Sequence, residues 1–302
     1  MNRAVEVIGV PMDLGADRRG VDMGPSAIRY GGLDAALTRA DRECHDTGDL
    51  TVPRPETHDP NTERLGGPAK YLPETRTVCK RLTQRVTAVR ERGHVPLVLG
   101  GDHSIGIGTA NGVADGETGV LWFDAHGDFN TPETTPSGNI HGMTLAAILG
   151  KGPFDGIEWA HTPAVSESNV VLVGLRDLDA GERRIIKESD VTAYTMSDID
   201  DRGASVVVRE AIERATDGVD HLYVSLDMDV LDPDEAPGVG TPVQGGLSYR
   251  EAHAAMELLY AEAGEDFCAF ELVEVNPILD RHNRTAELGC ELLASAFGEQ
   301  IL

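Results

Sequence analysis

Residues 118–130, TGVLWFDAHGDFN, join a run typical of a buried strand to three potential metal ligands. The apolar half ends at Phe123, and Asp124, His126 and Asp128 follow at every second position. Side chains two residues apart on an extended chain point to the same side. The stretch therefore predicts a strand whose carboxyl end presents three ligand-type side chains together.

Apolar runs of strand length recur along the 302 residues, and segments of helix length separate them. Near-continuous apolar strands that alternate with helices indicate an α/β fold with a parallel sheet covered on both faces. A doubly wound sheet of about eight strands fits this order, and a closed (β/α)8 barrel is the alternative. Because α/β folds of this length often form one domain, we treat residues 1–302 as a single domain. The predicted strands are 4–11, 43–50, 95–101, 118–124, 169–177, 191–196, 221–229 and 267–277, and the predicted helices are 26–39, 72–92, 104–114, 141–150, 180–189, 203–216, 248–263 and 284–297.

Composition and charge restrict the class of protein. The chain has 51 acidic and 26 basic residues and a net charge of −25, which argues against a nucleic-acid-binding face. No apolar run reaches about 18 residues, so we expect no membrane-spanning helix. The N-terminus lacks the pattern of a signal peptide, and the four cysteines form no CxxC pair. We therefore expect a cytoplasmic protein with reduced thiols.

The basic residues carry one more signal, because only four of the 26 are lysines. With 40% hydrophobic residues, the chain is too apolar for its acidity to indicate disorder. An acidic, lysine-poor surface is typical of a halophilic protein, since high salt screens the self-repulsion of the charges. This is a hypothesis about habitat and not about activity.

Polar side chains follow four of the predicted strands at their carboxyl ends, where parallel α/β sheets bind ligands. His103 follows VPLVLGG, Asp227 and Asp229 follow HLYVSL, and Glu274 follows FELV. With the 118–130 stretch, these strands supply two imidazoles and four aspartates. Four carboxylates without a counter-charge would repel one another and take up protons.

A pair of divalent cations removes this conflict. Six ligand side chains are too many for one four-coordinate zinc site, and they suit two cations about 3.5–4 Å apart. Carboxylate and imidazole ligands favour Mn²⁺ or a similar ion over copper or a structural zinc. A single DxH or DxD motif in an acidic protein is usually solvated surface, so the prediction depends on all four strands.

Five motifs occur in order along nearly the whole chain: GGDHS (100–104), WFDAHGDFN (122–130), SGNIHGM (137–143), SLDMDVLDPDEAPGVGTPVQGGLSYRE (225–251) and ELVEVNP (271–277). Together they resemble the signature segments of the arginase/agmatinase ureohydrolases, and residues 8–30 resemble arginases of the bacterial type. The resemblance implies a three-layer α/β/α fold with an eight-stranded, mostly parallel sheet. It also implies two Mn²⁺ ions and a homotrimer or homohexamer.

The resemblance assigns a role to each metal-ligand candidate. One manganese would have the ligands His103, Asp124, Asp128 and Asp227, and the other would have His126, Asp124, Asp227 and Asp229. Two cations lower the pKa of a shared water toward about 7. In the family reaction, the metal-bridging hydroxide attacks a guanidinium carbon and gives urea and an amine.

Three side chains would complete the catalytic set. Asp128 would accept a hydrogen bond from the hydroxide and carry its proton toward the leaving nitrogen. His141 matches a proton-shuttle histidine, a role that suits an imidazole with a pKa near 6.5. Glu274 matches the carboxylate that binds the guanidinium, in a planar, bidentate contact.

The loop after the 118–130 stretch favours L-arginine as the substrate. The resemblance places Asn130 and Ser137 at positions that bind the α-carboxylate, and Asp179 at the position that meets the α-ammonium group. We expect Thr135 and Asn139 to make second contacts through water. Agmatine does not carry this pair of charges, so we predict hydrolysis of L-arginine to L-ornithine and urea.

Three alternatives stay open at this point. An agmatinase or guanidinobutyrase would keep the metals and Glu274 but would not need Asp179. A catalytically silent arginine-binding protein would not need the complete ligand set with His141. A deacetylase-like hydrolase would bind a single zinc ion, so the metal count separates it from the others.

Overall fold

The computed structural model describes residues 3–16, 18–263 and 267–299, and eight strands within these ranges form one parallel sheet. Each strand lies in one of the runs predicted from the sequence. The order across the sheet is β2-β1-β3-β8-β7-β4-β5-β6. The strands are Val5–Val10 (β1), Cys44–Asp49 (β2), Val95–Gly100 (β3), Thr118–Phe123 (β4), Val170–Leu175 (β5), Thr192–Thr195 (β6), His221–Asp227 (β7) and Phe267–Val273 (β8).

The sheet is open, because β2 and β6 each pair with one neighbour and form the two edges. The open α/β sheet is therefore confirmed, and the barrel alternative is wrong. The central strands β3, β4 and β7 are buried along almost their whole length, whereas the β2 edge is largely exposed. Helices cover both faces, which explains why the central strands read as continuous apolar runs.

Two hydrophobic cores lie on the two faces of the sheet. Along β3, Leu97 and Leu99 belong to one core and Val98 to the other. Along β4, Leu121 packs in the first core and Trp122 in the second. Because successive side chains of a strand point to opposite faces, this alternation confirms the three-layer α/β/α arrangement.

The helices follow the predicted segments with two corrections. The segment 26–39 is two helices and not one, because the chain turns at Gly31 and Gly32, and Gly32 has φ 100°. That left-handed conformation is one that glycine adopts without steric cost. The helix Met196–Arg202 was not predicted. The α-helices are Gly24–Tyr30 (α1), Leu33–Arg39 (α2), Leu72–Glu91 (α3), Gly106–Val113 (α4), Thr144–Ile148 (α5), Ala180–Glu188 (α6), Met196–Arg202 (α7), Ala204–Ala215 (α8), Tyr249–Ala263 (α9) and Arg284–Ala296 (α10).

The strand order brings together the four strands that carry the predicted ligands at their ends. β3, β8, β7 and β4 are consecutive neighbours in the sheet, although they are far apart in the sequence. Their carboxyl ends therefore lie side by side at one edge of the sheet. None of the helices among the described residues is long and apolar enough to cross a membrane.

Candidate metal centre

The side chains predicted at the four strand ends converge. His103 begins a short 3-10 helix after β3, Asp124 directly follows β4, and Asp227 is the last residue of β7. Glu274 directly follows β8. All four side chains are buried.

The first group of potential ligands surrounds His103. Its Nδ1 atom lies 3.2 Å from Asp124 Oδ2, 3.1 Å from Asp128 Oδ2 and 3.2 Å from Asp227 Oδ2. Ligand atoms of His103, Asp124 and Asp227 all lie within 4.8 Å of one another. One imidazole and three carboxylates therefore point at a common centre.

The second group surrounds His126. Its Nδ1 atom lies 3.4 Å from Asp124 Oδ1 and 3.0 Å from Asp229 Oδ2, and the three residues again meet within 4.8 Å. Asp124 belongs to both groups, with one carboxylate oxygen directed toward each. Asp227, for which the resemblance implies a place in both sites, groups here with His103 only.

Buried polar atoms without partners show that this donor set suits cations. His103 Nδ1 and Asp128 Oδ2 are both buried, and neither has a hydrogen-bond partner. Burial and the charge of Asp124 raise the pKa of Asp128 to about 6, and burial and Asp229 raise the pKa of Asp227. Positive charge is what these carboxylates lack, so the residues present fit divalent metal ions.

The carboxylates around the two imidazoles raise the pKa of both rings. Burial opposes protonation of His103, but the carboxylates of Asp124, Asp128 and Asp227 raise its pKa well above the usual value. The pKa of His126 is also raised, because Asp229 and Asp124 outweigh the effect of burial.

Two of the acidic residues have left-handed backbone conformations, with φ 49° at Asp128 and φ 63° at Glu274. Such conformations are uncommon for residues other than glycine and concentrate at functional sites. Asp128 lies in the loop that follows β4, and Glu274 directly follows β8.

Glu274 contacts His141 through one of its carboxylate oxygens. Glu274 Oε1 accepts a hydrogen bond of 3.0 Å from the backbone N–H of His103 and lies 3.1 Å from His141 Nδ1. Although burial disfavours the imidazolium, Glu274 raises the pKa of His141 to about 9. Glu274 Oε2 is buried without a partner, and a Cβ atom at Gly240 would lie only 2.6 Å from it. One carboxylate oxygen is thus available for a donor that the chain does not supply.

The predicted substrate contacts fall into one pair and one group of three neighbouring residues. Asn130 Nδ2 donates to Asp179 Oδ2 over 2.7 Å. Ser137 Oγ accepts from the backbone N–H of Asn139 at 3.1 Å and lies 3.4 Å from Thr135 Oγ1. The structure therefore places the predicted carboxylate and ammonium contacts Asn130 and Asp179 against each other, and Thr135, Ser137 and Asn139 together in one loop.

A layer of residues behind the ligands was missed by the sequence reasoning. Trp122 Nε1 donates to Asp124 Oδ2 at 3.1 Å, Thr241 Oγ1 donates to Asp229 Oδ2 at 2.9 Å, and Ser225 Oγ lies 2.7 Å from His103 Nε2. Trp122 also stacks on the His103 ring, with centroids 4.1 Å apart. In the sequence these residues look like ordinary strand or loop residues, so no signal in a single chain separates them from the core.

Arg176 is a second feature that the sequence did not reveal. Its guanidinium group donates to the backbone carbonyls of Asp229 at 2.6 Å, Val230 at 3.1 Å and Leu231 at 3.1 Å. The cation therefore fixes the segment that carries Asp229. In the sequence, Asp177, Asp179 and Glu182 follow Arg176, and this pattern is typical of a charged surface segment.

Comparison with known proteins identifies the family of this chain. The family model described as the arginase family matches residues 3–298. The arginase of Brevibacillus brevis is 50% identical over 306 residues, and the match covers 100% of both chains.

Solved structures agree with this result. The native arginase structure from Bacillus caldovelox has a TM-score of 0.92 and 47% identity, covering 99% of this chain and 100% of that one. The Entamoeba histolytica arginase structure, in complex with L-ornithine, has a TM-score of 0.86 and 30% identity, covering 98% and 99%. With the family match over nearly the whole length and a buried histidine and aspartate cluster at the expected strand ends, the chain belongs to the arginase family of hydrolases.

Proposed function

We propose that the protein is a binuclear manganese hydrolase that converts L-arginine and water to L-ornithine and urea. The observation that carries this proposal is that two groups of histidine and aspartate ligands share Asp124. One shared carboxylate, with one oxygen toward each group, suits two ions at neighbouring positions. A single-zinc hydrolase would need only one of the groups.

The residues that would hold the ions are those of the two groups. His103, Asp128 and Asp227 would serve one ion, His126 and Asp229 the other, and Asp124 both. When bound, two Mn²⁺ ions would supply the Lewis acidity that lowers the pKa of a water molecule toward neutrality. Mn²⁺ is favoured because the ligands are carboxylates and imidazoles with no thiolate.

Asp128 would accept a proton during the reaction, and His141 would donate one. Asp128 Oδ2 is buried and unpartnered, so it can accept a proton from water that attacks the guanidinium carbon. His141 is held by Glu274, which keeps its imidazole protonated below a pKa of about 9. A protonated His141 can deliver a proton to the amine that leaves.

Glu274 would orient the reacting group. A guanidinium is planar and presents parallel N–H donors, which match the two oxygens of a carboxylate. Glu274 Oε2 is buried and free of partners, and the close approach of Gly240 limits the space around it. A substrate guanidinium would supply the missing donor.

The contacts away from the metal ligands favour arginine over agmatine. Asp179 offers an anion for the α-ammonium group, and Asn130 and Ser137 offer neutral donors for the α-carboxylate. Pro136 and Ser137 are exposed, as expected for the entrance of a site. The complex of the Entamoeba relative with L-ornithine agrees with a product that keeps both α-substituents.

The test is urea release from the purified protein after incubation with Mn²⁺ in high salt, with arginine and agmatine compared. Urea and ornithine from arginine alone is the expected result. Release from agmatine alone would retain the metal centre and overturn the specificity. No urea from either substrate by a protein with two bound ions would favour a binding role instead.

A further inference from the structure

Glu271 is a fully buried carboxylate that the proposed reaction does not use. It lies on β8 and pairs in register with Ser225 on β7. Three hydroxyl groups donate to it: Thr109 Oγ1 to Oε2, Tyr223 Oη to Oε1 at 3.0 Å, and Ser225 Oγ to Oε1 at 3.2 Å. An apolar side chain could fill this core position without the cost of burying a charge. Packing alone therefore does not explain why this buried position carries a carboxylate.

Ser225 links Glu271 to the metal centre. Its Oγ atom lies 3.2 Å from Glu271 Oε1 and 2.7 Å from His103 Nε2. A hydroxyl has one proton to donate and two lone pairs to accept with. Because the proton is directed to the carboxylate, Ser225 faces His103 with a lone pair. The hydrogen between them must then belong to Nε2 of the imidazole.

This arrangement decides which nitrogen of His103 is free. An imidazole binds a metal ion in its neutral form, which carries one proton, so a proton on Nε2 leaves a lone pair on Nδ1. Nδ1 is the atom that lies 3.1–3.2 Å from the carboxylates of Asp124, Asp128 and Asp227 and has no hydrogen-bond partner. The opposite tautomer would place N–H at the centre of these oxygens and exclude a cation.

We infer that Glu271 is a positioning residue that acts through Ser225 to hold His103 in the tautomer that binds a divalent cation through Nδ1. This inference rests on the proposed metal centre. Glu271 is not among the residues proposed to hold the ions or the substrate. Its Oε1 atom lies 3.9 Å from His103 Nε2, beyond hydrogen-bond distance, and the Ser225 hydroxyl contacts both atoms. Groups behind a histidine ligand that accept its second N–H fix the ring and raise its basicity.

The decisive experiment is a calorimetric titration of metal-free protein with Mn²⁺, for the unchanged protein and Glu271→Gln. The amide retains the shape of the side chain but can also donate, so Ser225 no longer has a fixed acceptor. We expect a 10–100-fold weaker affinity at one of the two sites, as is usual for changes behind a metal ligand. Glu6→Gln is the matched control, because Glu6 is also buried in a strand but hydrogen-bonds Arg92. Its Mn²⁺ affinity should not change even if its melting temperature falls.

A double-mutant cycle tests the route through Ser225. If Glu271 acts through the hydroxyl, Ser225→Ala and Glu271→Gln should each weaken Mn²⁺ binding, and the double variant should be no weaker than the poorer single one. Additive losses would show that Glu271 acts elsewhere. If Glu271→Gln does not fold, Ser225→Ala carries the test, because it breaks the same link and keeps the carboxylate.

The outcomes separate this inference from the proposed function. Normal Mn²⁺ affinity in folded Glu271→Gln or Ser225→Ala would overturn the inference and leave the metal centre intact. Failure of the unchanged protein to bind Mn²⁺ would overturn both. Tight binding of two ions without urea from arginine would overturn the proposed reaction and leave the role of Glu271 standing.

Discussion

Asn130 Nδ2 donates a hydrogen bond of 2.7 Å to Asp179 Oδ2, while Asp179 Oδ1 caps helix α6 by accepting from the N–H groups of Gly181 and Glu182. The two residues assigned to opposite charges of the arginine α-carbon are therefore coupled to each other. Both are also anchored to the start of one helix. A change at either one should disturb recognition of the whole α-carbon end of the substrate.

Asp179→Asn tests this coupling. The amide can still cap the helix, but its NH₂ group would face the NH₂ group of Asn130, so the contact is lost with the charge. Hydrogen bonds to charged groups contribute about 1.5–3 kcal/mol, and we expect kcat/KM for arginine to fall roughly 10–100-fold, mainly through KM. Thr134→Val is the matched control, because it removes the other partner of Asn130 and keeps the anion. An unchanged KM in Asp179→Asn would remove this residue from the substrate site.

Asp128→Asn tests the proton acceptor. The amide cannot take a proton from water at neutral pH, and proton transfer of this kind contributes about 10²–10⁴-fold to a rate. We expect kcat to fall by about that factor at saturating Mn²⁺, with circular dichroism unchanged. Asp200→Asn, on the exposed face of α7, serves as control. Near-normal turnover in Asp128→Asn would contradict the assigned role.

Glu182→Gln tests the electrostatics around the capping residue. Burial raises the pKa of Glu182 from 4.5 to about 7. A carboxyl group whose pKa is higher in the folded state binds its proton more tightly when folded, so its contribution to stability is lost as the pH rises from about 4.5 to about 7. At about 1.4 kcal/mol per unit, the loss amounts to at most about 3.5 kcal/mol.

The measurement is denaturant unfolding of the metal-free protein at pH 5 and pH 8. The decrease in unfolding free energy between these values should be smaller in Glu182→Gln than in the unchanged protein. Glu213→Gln, an exposed position on α8, should behave like the unchanged protein. An equal decrease in all three proteins would show that Glu182 is ionised in the fold at pH 5.

Salt should stabilise the fold if the acidic surface is adapted to a high-salt environment. The net charge of −25 favours the expanded state through self-repulsion, which is screened over about 10 Å at 0.1 M salt and about 3 Å at 1 M. We expect the unfolding free energy to rise between about 0.1 and 1 M KCl. Sucrose at equal water activity controls for hydration. Equal or lower stability in KCl would contradict the halophile hypothesis.

The sequence was most informative where the pattern of apolar side chains matches the secondary structure. All eight strands were predicted, because buried parallel strands are continuous apolar runs, and the ligand positions followed from the ends of these strands. The break at Gly31 and Gly32 was missed because the apolar periodicity continues through it. Helix α7 was also missed, although Thr195 and Asp198 form a capping box that could have revealed it.

The second layer of the site could not be predicted. Ser225 and Glu271 become neighbours only through the pairing of β7 with β8, which a single sequence does not show. In the sequence, Glu271 is a charged residue inside an apolar strand. Its importance became visible only with the contact between Ser225 and His103. Arg176 is similar, because its partners are backbone carbonyls that have no sequence signature.

The most direct test of the account is urea formation from arginine measured against added equivalents of Mn²⁺. The protein is first freed of metal with a chelator, and the bound ions are counted in the same samples. We predict no activity without metal and a plateau at two Mn²⁺ per chain, because the two ligand groups share Asp124. Full activity with one bound ion per chain would contradict the binuclear hydrolase. So would the absence of urea from a protein with two bound ions.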